Sequence, residues 1–411
     1  MTGTARAGKT AFLTAVAANL LANRLPSFRR VRASLAPAGA APVPRFDLQR
    51  HLTALAADPP SWPERTGAVS LLALDLAVPR RIGPPRRVRL EFLDYPGEWL
   101  LDLPMLRQEF AGWSASVLAR LERHMAARPF LQFAGALAAD APGSETLAEQ
   151  GHRLYRDLLN RLRSEDGLSL LQPGRFLMPA PGPEPPWTSF FPYRGRGGLA
   201  RLLATRYDAY RDAVRNDLVS PAFGDVDRLV VLADMLGALG AGRSAFDDAA
   251  GALGEAAGAL RWRRSWLELA SSALRGRWPG RGIMRVAYAA TKADHVAAGQ
   301  RGNLRSMVET LVAAPGDVPS RAFAIASVRC TTDATMTLGG RAVSAVEGVK
   351  PGVGRVRSYP GEVPNGKPPP GFWSEPFFDL PDFMPPRIRP GAGVPDLELD
   401  PLLLFLLGDL L

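Results

Sequence analysis

Apolar and polar positions divide the chain into recognisable stretches. Residues 11–25, AFLTAVAANLLANRL, carry apolar side chains at helical spacing and predict a helix. GAVSLLALDLAV, Gly67 to Val78, and VRLEFL, Val88 to Leu93, both read as strands. The Pro/Arg-rich turn PRRIGPPRR joins them into an antiparallel hairpin. Asp227 to Ala233, Ile283 to Ala289 and Arg321 to Cys330 are further apolar strands. From Trp99 to about Gly224 no strand signal occurs, and the segments 101–126 and 145–167 have helical spacing with Arg-rich outer faces. Asp247 to Arg275 reads as another helix.

The connections have their own character. Residues 24–66 form a long, Pro-rich link, and residues 173–198 a loop dense in Pro, Gly and aromatics that either packs on the surface or meets a partner. After Cys330 the chain is again rich in Pro and Gly, with a small hairpin expected over Gly339 to Val356. The last residues, LDPLLLFLLGDLL, predict an apolar helix too short to span a bilayer, which should dock on the rest of the fold. The implied organisation is a discontinuous domain of residues 1–98 and 225–330, a helical insertion over 99–224, and a C-terminal segment over 331–411.

Three stretches carry chemistry. GTARAGKT, Gly3 to Thr10, fits G-x-x-x-x-G-K-[ST]. In such a loop Gly3 and Gly8 let the chain curl around a phosphate. The successive backbone N–H groups through Arg6, Ala7, Gly8, Lys9, Thr10 and Ala11 then point inward, and the following helix turns its positive end to the anion. Lys9 would reach the β- and γ-phosphates, and the Thr10 hydroxyl would ligate Mg2+. The Arg6 side chain either touches phosphate or points to solvent.

Asp94-Tyr95-Pro96-Gly97 follows a strand, where Asp94 would hold the metal and the Gly97 N–H would meet the γ-phosphate. Thr291-Lys292-Ala293-Asp294 fits [NT]-K-x-D at a strand end. A carboxylate there can accept from guanine N1–H and N2–H2, a donor pair that adenine lacks. Ala326-Ser327 closes the next strand, where a small residue lets a backbone N–H meet the guanine oxygen. Two residues remain ambiguous. Thr66 is either a switch threonine completing Mg2+ coordination or a turn residue. Glu98 either orients the attacking water or caps a helix, and its charge beside the γ-phosphate would make hydrolysis slow.

Composition narrows the classes. The formal charge is +10, but only four of the 50 cations are lysine, so Arg-rich genomic bias explains the charge better than a specific nucleic-acid surface. Two of those four lysines fall in the two motifs that demand one. A single cysteine, Cys330, excludes a disulfide framework and leaves no expectation of a cysteine metal site. The four histidines are scattered along the chain. No secretory leader is evident, so the expected compartment is the cytoplasm.

GTARAGKTAFLTAVAANLL, DYPGEWLLDLP, VVLADMLGAL, AATKADHV and IASVRCT together resemble the YcjX-like family of bacterial P-loop proteins, as do FDLPDFMPPRI and LELDPLLLFLLGDLL. The resemblance implies an α/β fold, a G-domain-like P-loop NTPase sheet with helices on both faces and a large helical insertion. It also implies a cytoplasmic, stress-related guanine-nucleotide switch working with Mg2+ near an inner-membrane partner protein. The family pattern has a strand before the loop. Here only Met1 and Thr2 precede Gly3, so that strand is expected to be missing, with the natural start upstream. Two other classes stay open: an ATPase in which TKAD is a structural turn, and a non-catalytic interaction protein with a degenerate pocket.

Overall fold

The computed structural model describes all residues except 4–6, 38–43, 64–69, 95–101, 165–167, 169–170, 178–181, 183, 220–225, 255–256, 258–282, 314–317, 375–377 and 379, and omits the side chains of residues 94, 103 and 217–219. The chain divides into two compact units. One holds Met1–Pro96, Asp227–Phe246 and Ile283–Leu411, and the other Gly97–Val226 and Asp247–Gly282.

The first unit is mixed α/β. Its parallel sheet has the order β1 (Thr2–Gly3), β5 (Arg228–Ala233), β6 (Arg285–Ala290), β7 (Ser320–Ala324). Five of the six residues of β5 and of β6 are buried, as expected for parallel strands covered on both sides. An antiparallel sheet joins β2 (Arg32–Leu35), β3 (Ser70–Val78) and β4 (Arg86–Asp94). In β3 burial alternates along SLLALDLAV, so Leu72, Leu74, Leu76 and Val78 share one inward face. A third sheet, β8 (Thr331–Leu338), β9 (Arg341–Lys350) and β10 (Gly354–Ser358), is an antiparallel meander. It enlarges the hairpin expected over Gly339 to Val356.

The expected absence of the first strand is corrected. Thr2 and Gly3 pair in parallel with Val231 and Leu232. The Met1 amino group donates to Leu93 O at 3.0 Å, which puts β1 beside the end of β4 as well. The two residues in register pair with backbone groups of β5, and Met1 satisfies one carbonyl at the end of β4, groups that would otherwise be orphaned.

The described parts of residues 24–66 are more than a bare link. They hold β2 and α2 (Leu48–Ala56), whose N-terminus is capped by Asp47 accepting from Arg50 N at 3.1 Å. Ahead of them, α1 (Lys9–Leu21) is buried from Phe12 to Leu20. Further on come α3 (Met235–Gly240) and α4 (Ala298–Leu311).

The C-terminal helix α5 (Leu399–Leu407) docks as expected. Leu399, Leu402, Leu403, Leu406 and Leu407 join one core with α1, β3, Ala287, Ala289 and Phe323. Its last carbonyls are held by arginines of the sheet: Arg228 Nε donates to Leu406 O at 2.7 Å, and Arg285 to Phe405 O at 2.5 Å.

The second unit shows helices and no strand among its described residues. Its core gathers Trp113, Tyr155, Phe190, Phe191, Tyr207 and Tyr210. Phe190, Phe191 and Tyr193, from the aromatic-rich loop, are therefore core residues of that unit. Gly151 makes room for them, since a Cβ there would stand 2.2 Å from the Phe191 ring.

Candidate nucleotide site

The parallel strands end on one edge, and the motif residues follow those ends. This is the edge at which open α/β sheets take ligands. Gly3 lies flat against β5, where a Cβ would stand 2.4 Å from Leu232 O. Ala7 is buried. Gly8 caps α1 with φ 76° and ψ 33°, a left-handed conformation that glycine adopts at little cost. Lys9 folds back so that its ammonium donates to Gly3 O at 3.3 Å, tying the end of the loop to its beginning. Thr10 and Ala11 sit half-buried in the first turn of α1. No acidic residue occupies that turn, so the positive end of the helix keeps its field for an anion.

The TKAD stretch is anchored at the ends of β5, β6 and β7. Thr291 is buried, and its N–H donates to Ala233 O at 2.9 Å. Lys292 takes φ 59°, and its ammonium lies 2.5 Å from Asp234 Oδ2. Asp234 in turn caps α3, accepting from Gly237 N at 2.9 Å. The Ala293 N–H donates to Ile325 O at 3.0 Å. Asp294 is 1% exposed, and its Oδ2 accepts from Cys330 N at 2.7 Å and from the Cys330 thiol at 3.2 Å. The Thr331 hydroxyl donates to Asp294 O. Among the described residues Asp294 Oδ1 has no partner.

Ala326 and Leu397 exchange both backbone bonds, at 3.2 and 2.9 Å. With the Ala326 N–H engaged by the C-terminal segment, the donor expected at this turn falls to Ser327, which is buried.

Burial lowers the His295 pKa below the usual imidazole value and raises that of the Cys330 thiol far above its ordinary range, the Asp294 carboxylate adding to the second effect. Both groups are therefore neutral near pH 7.

The structure thus brings Gly3, Ala7, Gly8, Lys9, Thr10, Ala11, Thr291, Lys292, Asp294 and Ser327 to one edge of the sheet. Arg6, Thr66, Gly97 and Glu98 lie outside the described residues, and only the backbone of Asp94 is described. Two partners escaped the sequence. Cys330 grips Asp294 from 36 positions away, with no local pattern to announce it. Asp234 ends an apolar strand, and nothing local marks it as the anchor of Lys292.

A parallel sheet with a glycine-gated helix start and an anchored Thr-Lys-x-Asp turn at one edge, beside two antiparallel sheets, defines a mixed α/β protein. The family model described as "YcjX-like family, DUF463" matches residues 1–411, and the chain belongs to that family. It is 31% identical to a protein named "Ras-like GTPase YcjX" from Escherichia coli (strain K12), over all of this chain and 94% of the relative. A relative of the same name from Shewanella oneidensis is 30% identical over all of this chain and 93% of its own length. Among the described residues no helix is long and apolar enough to cross a membrane.

Proposed function

We propose that this chain is a guanine-nucleotide-binding P-loop protein that hydrolyses GTP slowly with Mg2+ and serves as a stress-related switch. One observation carries the nucleotide reading. The glycine-gated start of α1 follows β1 and the TKAD turn follows β6, parallel strands with β5 between them on one sheet edge, in a chain whose full-length relatives are named GTPases. The backbone from Gly3 to Ala11 would cradle the phosphates, with Lys9 releasing Gly3 O to take up a phosphate oxygen. Asp294 Oδ1 would accept from the base and Ser327 N–H would donate to it.

The half-buried Thr10 hydroxyl at the helix start suits Mg2+, with Asp94 and Thr66 assigned to the same ion. When bound, Mg2+ neutralises charge on the phosphates. Lys9 would stabilise negative charge on the transferring group, Gly97 would donate to it, and Glu98 would orient water, its own charge keeping turnover slow. An inner-membrane partner protein belongs to this proposal through the family's implied setting.

A second reading is favoured by the near-complete burial of Asp294 and its two bonds to Cys330. In it the TKAD turn is structural and the base is read elsewhere, as in an ATPase. Competition of GDP and ADP for a fluorescent nucleotide, with Mg2+, separates the two. Preference for GDP, with binding weakened at least tenfold by Lys9→Ala, supports the guanine reading. Equal competition by ADP overturns it.

A further inference from the structure

Among the described residues one cluster of ligating side chains includes two, His295 and Cys330, that have no role in the function proposed so far. Asp294, His295 and Cys330 each offer one atom, and the three atoms lie within 4.8 Å of one another. The Cys330 sulfur stands 3.2 Å from Asp294 Oδ2 and 3.8 Å from His295 Nε2. Thiolate, imidazole and carboxylate ligands at zinc lie at roughly 2.3, 2.0 and 2.0–2.2 Å. Tetrahedral angles then put the sulfur about 3.5 Å from each of the other two donor atoms. The observed separations bracket that value before any side chain moves.

The surroundings favour a metal. The His295 Nδ1 is buried with no hydrogen-bond partner among the described residues, so no strong hydrogen bond fixes the ring in another role. The Nε2–sulfur contact of 3.8 Å is weak for a hydrogen bond. Cys330 and His295 are both half-buried, so the cluster is not fully closed off from solvent. The turn itself is held rigidly by Ala293 N to Ile325 O at 3.0 Å and by Cys330 N to Asp294 Oδ2 at 2.7 Å.

We propose that Asp294, His295 and Cys330 form a binding site for a soft divalent cation of the zinc class, three protein ligands with a fourth position left to water. On binding, the thiol proton passes to solvent, the thiolate and Asp294 Oδ2 both ligate the ion, and its charge offsets theirs. The site shares a carboxylate with the base-reading role proposed for Asp294. Resting on that reading, an ion on Oδ2 draws charge from the carboxylate whose Oδ1 would accept from the base, so the ion and guanine nucleotide weaken each other's binding.

Cobalt(II) reports the site directly, because thiolate ligation gives a charge-transfer band in the near ultraviolet and the chain holds one cysteine. Titration of the full chain without nucleotide should give the band at one equivalent, and zinc should bleach it. Cys330→Ala should abolish it. His295→Gln, which keeps a polar side chain, should weaken cobalt binding at least tenfold while leaving the thermal melting curve in place. No band in the wild-type chain, or a band of unchanged strength in His295→Gln, overturns the site. GDP should raise the cobalt concentration needed for half-saturation. If the band forms and saturating GDP leaves it unmoved, the metal site stands, and the assignment of Asp294 to the base is the part that fails.

Discussion

Single residues decide whether the loop can form. Gly3 has no room for a side chain, because a Cβ would meet the Leu232 carbonyl oxygen at 2.4 Å and disrupt the two-residue pairing of β1 with β5. Gly8 has space around it but a φ of 76°. Gly8→Ala should therefore cost only the left-handed penalty of about 1–2 kcal/mol. Gly3→Ala should cost more and should also weaken nucleotide binding, since it displaces the entry to the loop. Chemical denaturation of both variants, with nucleotide titration of each, tests the difference. Equal losses would mean that β1 does not anchor the loop. The sequence announced both glycines, because the motif demands them. It could not announce that Cys330 holds Asp294, since that contact exists only once β7 and its turn are folded.

At the scale of elements, periodicity made most of the first unit legible. The strands expected at Gly67 to Val78, Val88 to Leu93, Asp227 to Ala233 and Ile283 to Ala289 appear within a few residues of those limits, since each is a compact apolar run. The strand expected to run to Cys330 stops at Ala324, because Ala326 turns to pair with Leu397. β2 was hidden because three of its four residues are exposed and backbone pairing with β3 holds it. The signal for α2 was present in Asp47 as a cap and in the inward Leu48, His51 and Leu55, but the Pro-rich surroundings masked it.

In the helical unit, Asp102 is an element-joining carboxylate. It accepts from Gly174 N at 2.6 Å and from the Tyr210 hydroxyl at 2.5 Å. Burial raises its pKa from 3.8 to about 6. A carboxyl whose folded pKa is raised binds extra protons in the folded state between those two values. Its contribution to stability is thus greatest below pH 4, declines as pH rises to about 6, and is flat above. The full difference is on the order of 3 kcal/mol. Asp102→Asn removes the charge and keeps an acceptor for Gly174. It should be more stable than the wild-type chain at pH 7 and should lose that advantage near pH 4. Urea midpoints at the two pH values provide the check, and an advantage of equal size at both would contradict the burial origin of the shift.

For the molecule as a whole, the C-terminal segment is structural material of the sheet-bearing unit. Leu397 braces the Ala326 turn, Asp396 accepts from Asn19 of α1 at 2.9 Å, and Ser27 donates to Asp400 through both its N–H, at 2.9 Å, and its hydroxyl, at 2.7 Å. Leu403→Ala, in the shared core, should cost about 2–5 kcal/mol. Because the same core packs α1, the loss should appear as faster hydrogen exchange in α1 and at residues 326–329 together. Exchange that rises in α5 alone would mean that the helix is an appendage. The sequence foresaw the docking of this helix, since it is too short for a bilayer, but not that Leu397 and Pro395 bond to Ala326 and Arg329 of the turn after β7.

Base selection through Asp294 is the central claim, and a single substitution tests it most directly. Xanthine carries a carbonyl where guanine carries the 2-amino group, so an amide at position 294 can donate where the carboxylate accepted. Competition of GDP and XDP for a fluorescent nucleotide should favour GDP in the wild-type chain. It should shift toward XDP by about thirtyfold or more in Asp294→Asn, as expected for one buried bond lost to each partner at about 1–3 kcal/mol. An Asp294→Asn chain that binds GDP and XDP in the wild-type ratio would contradict it.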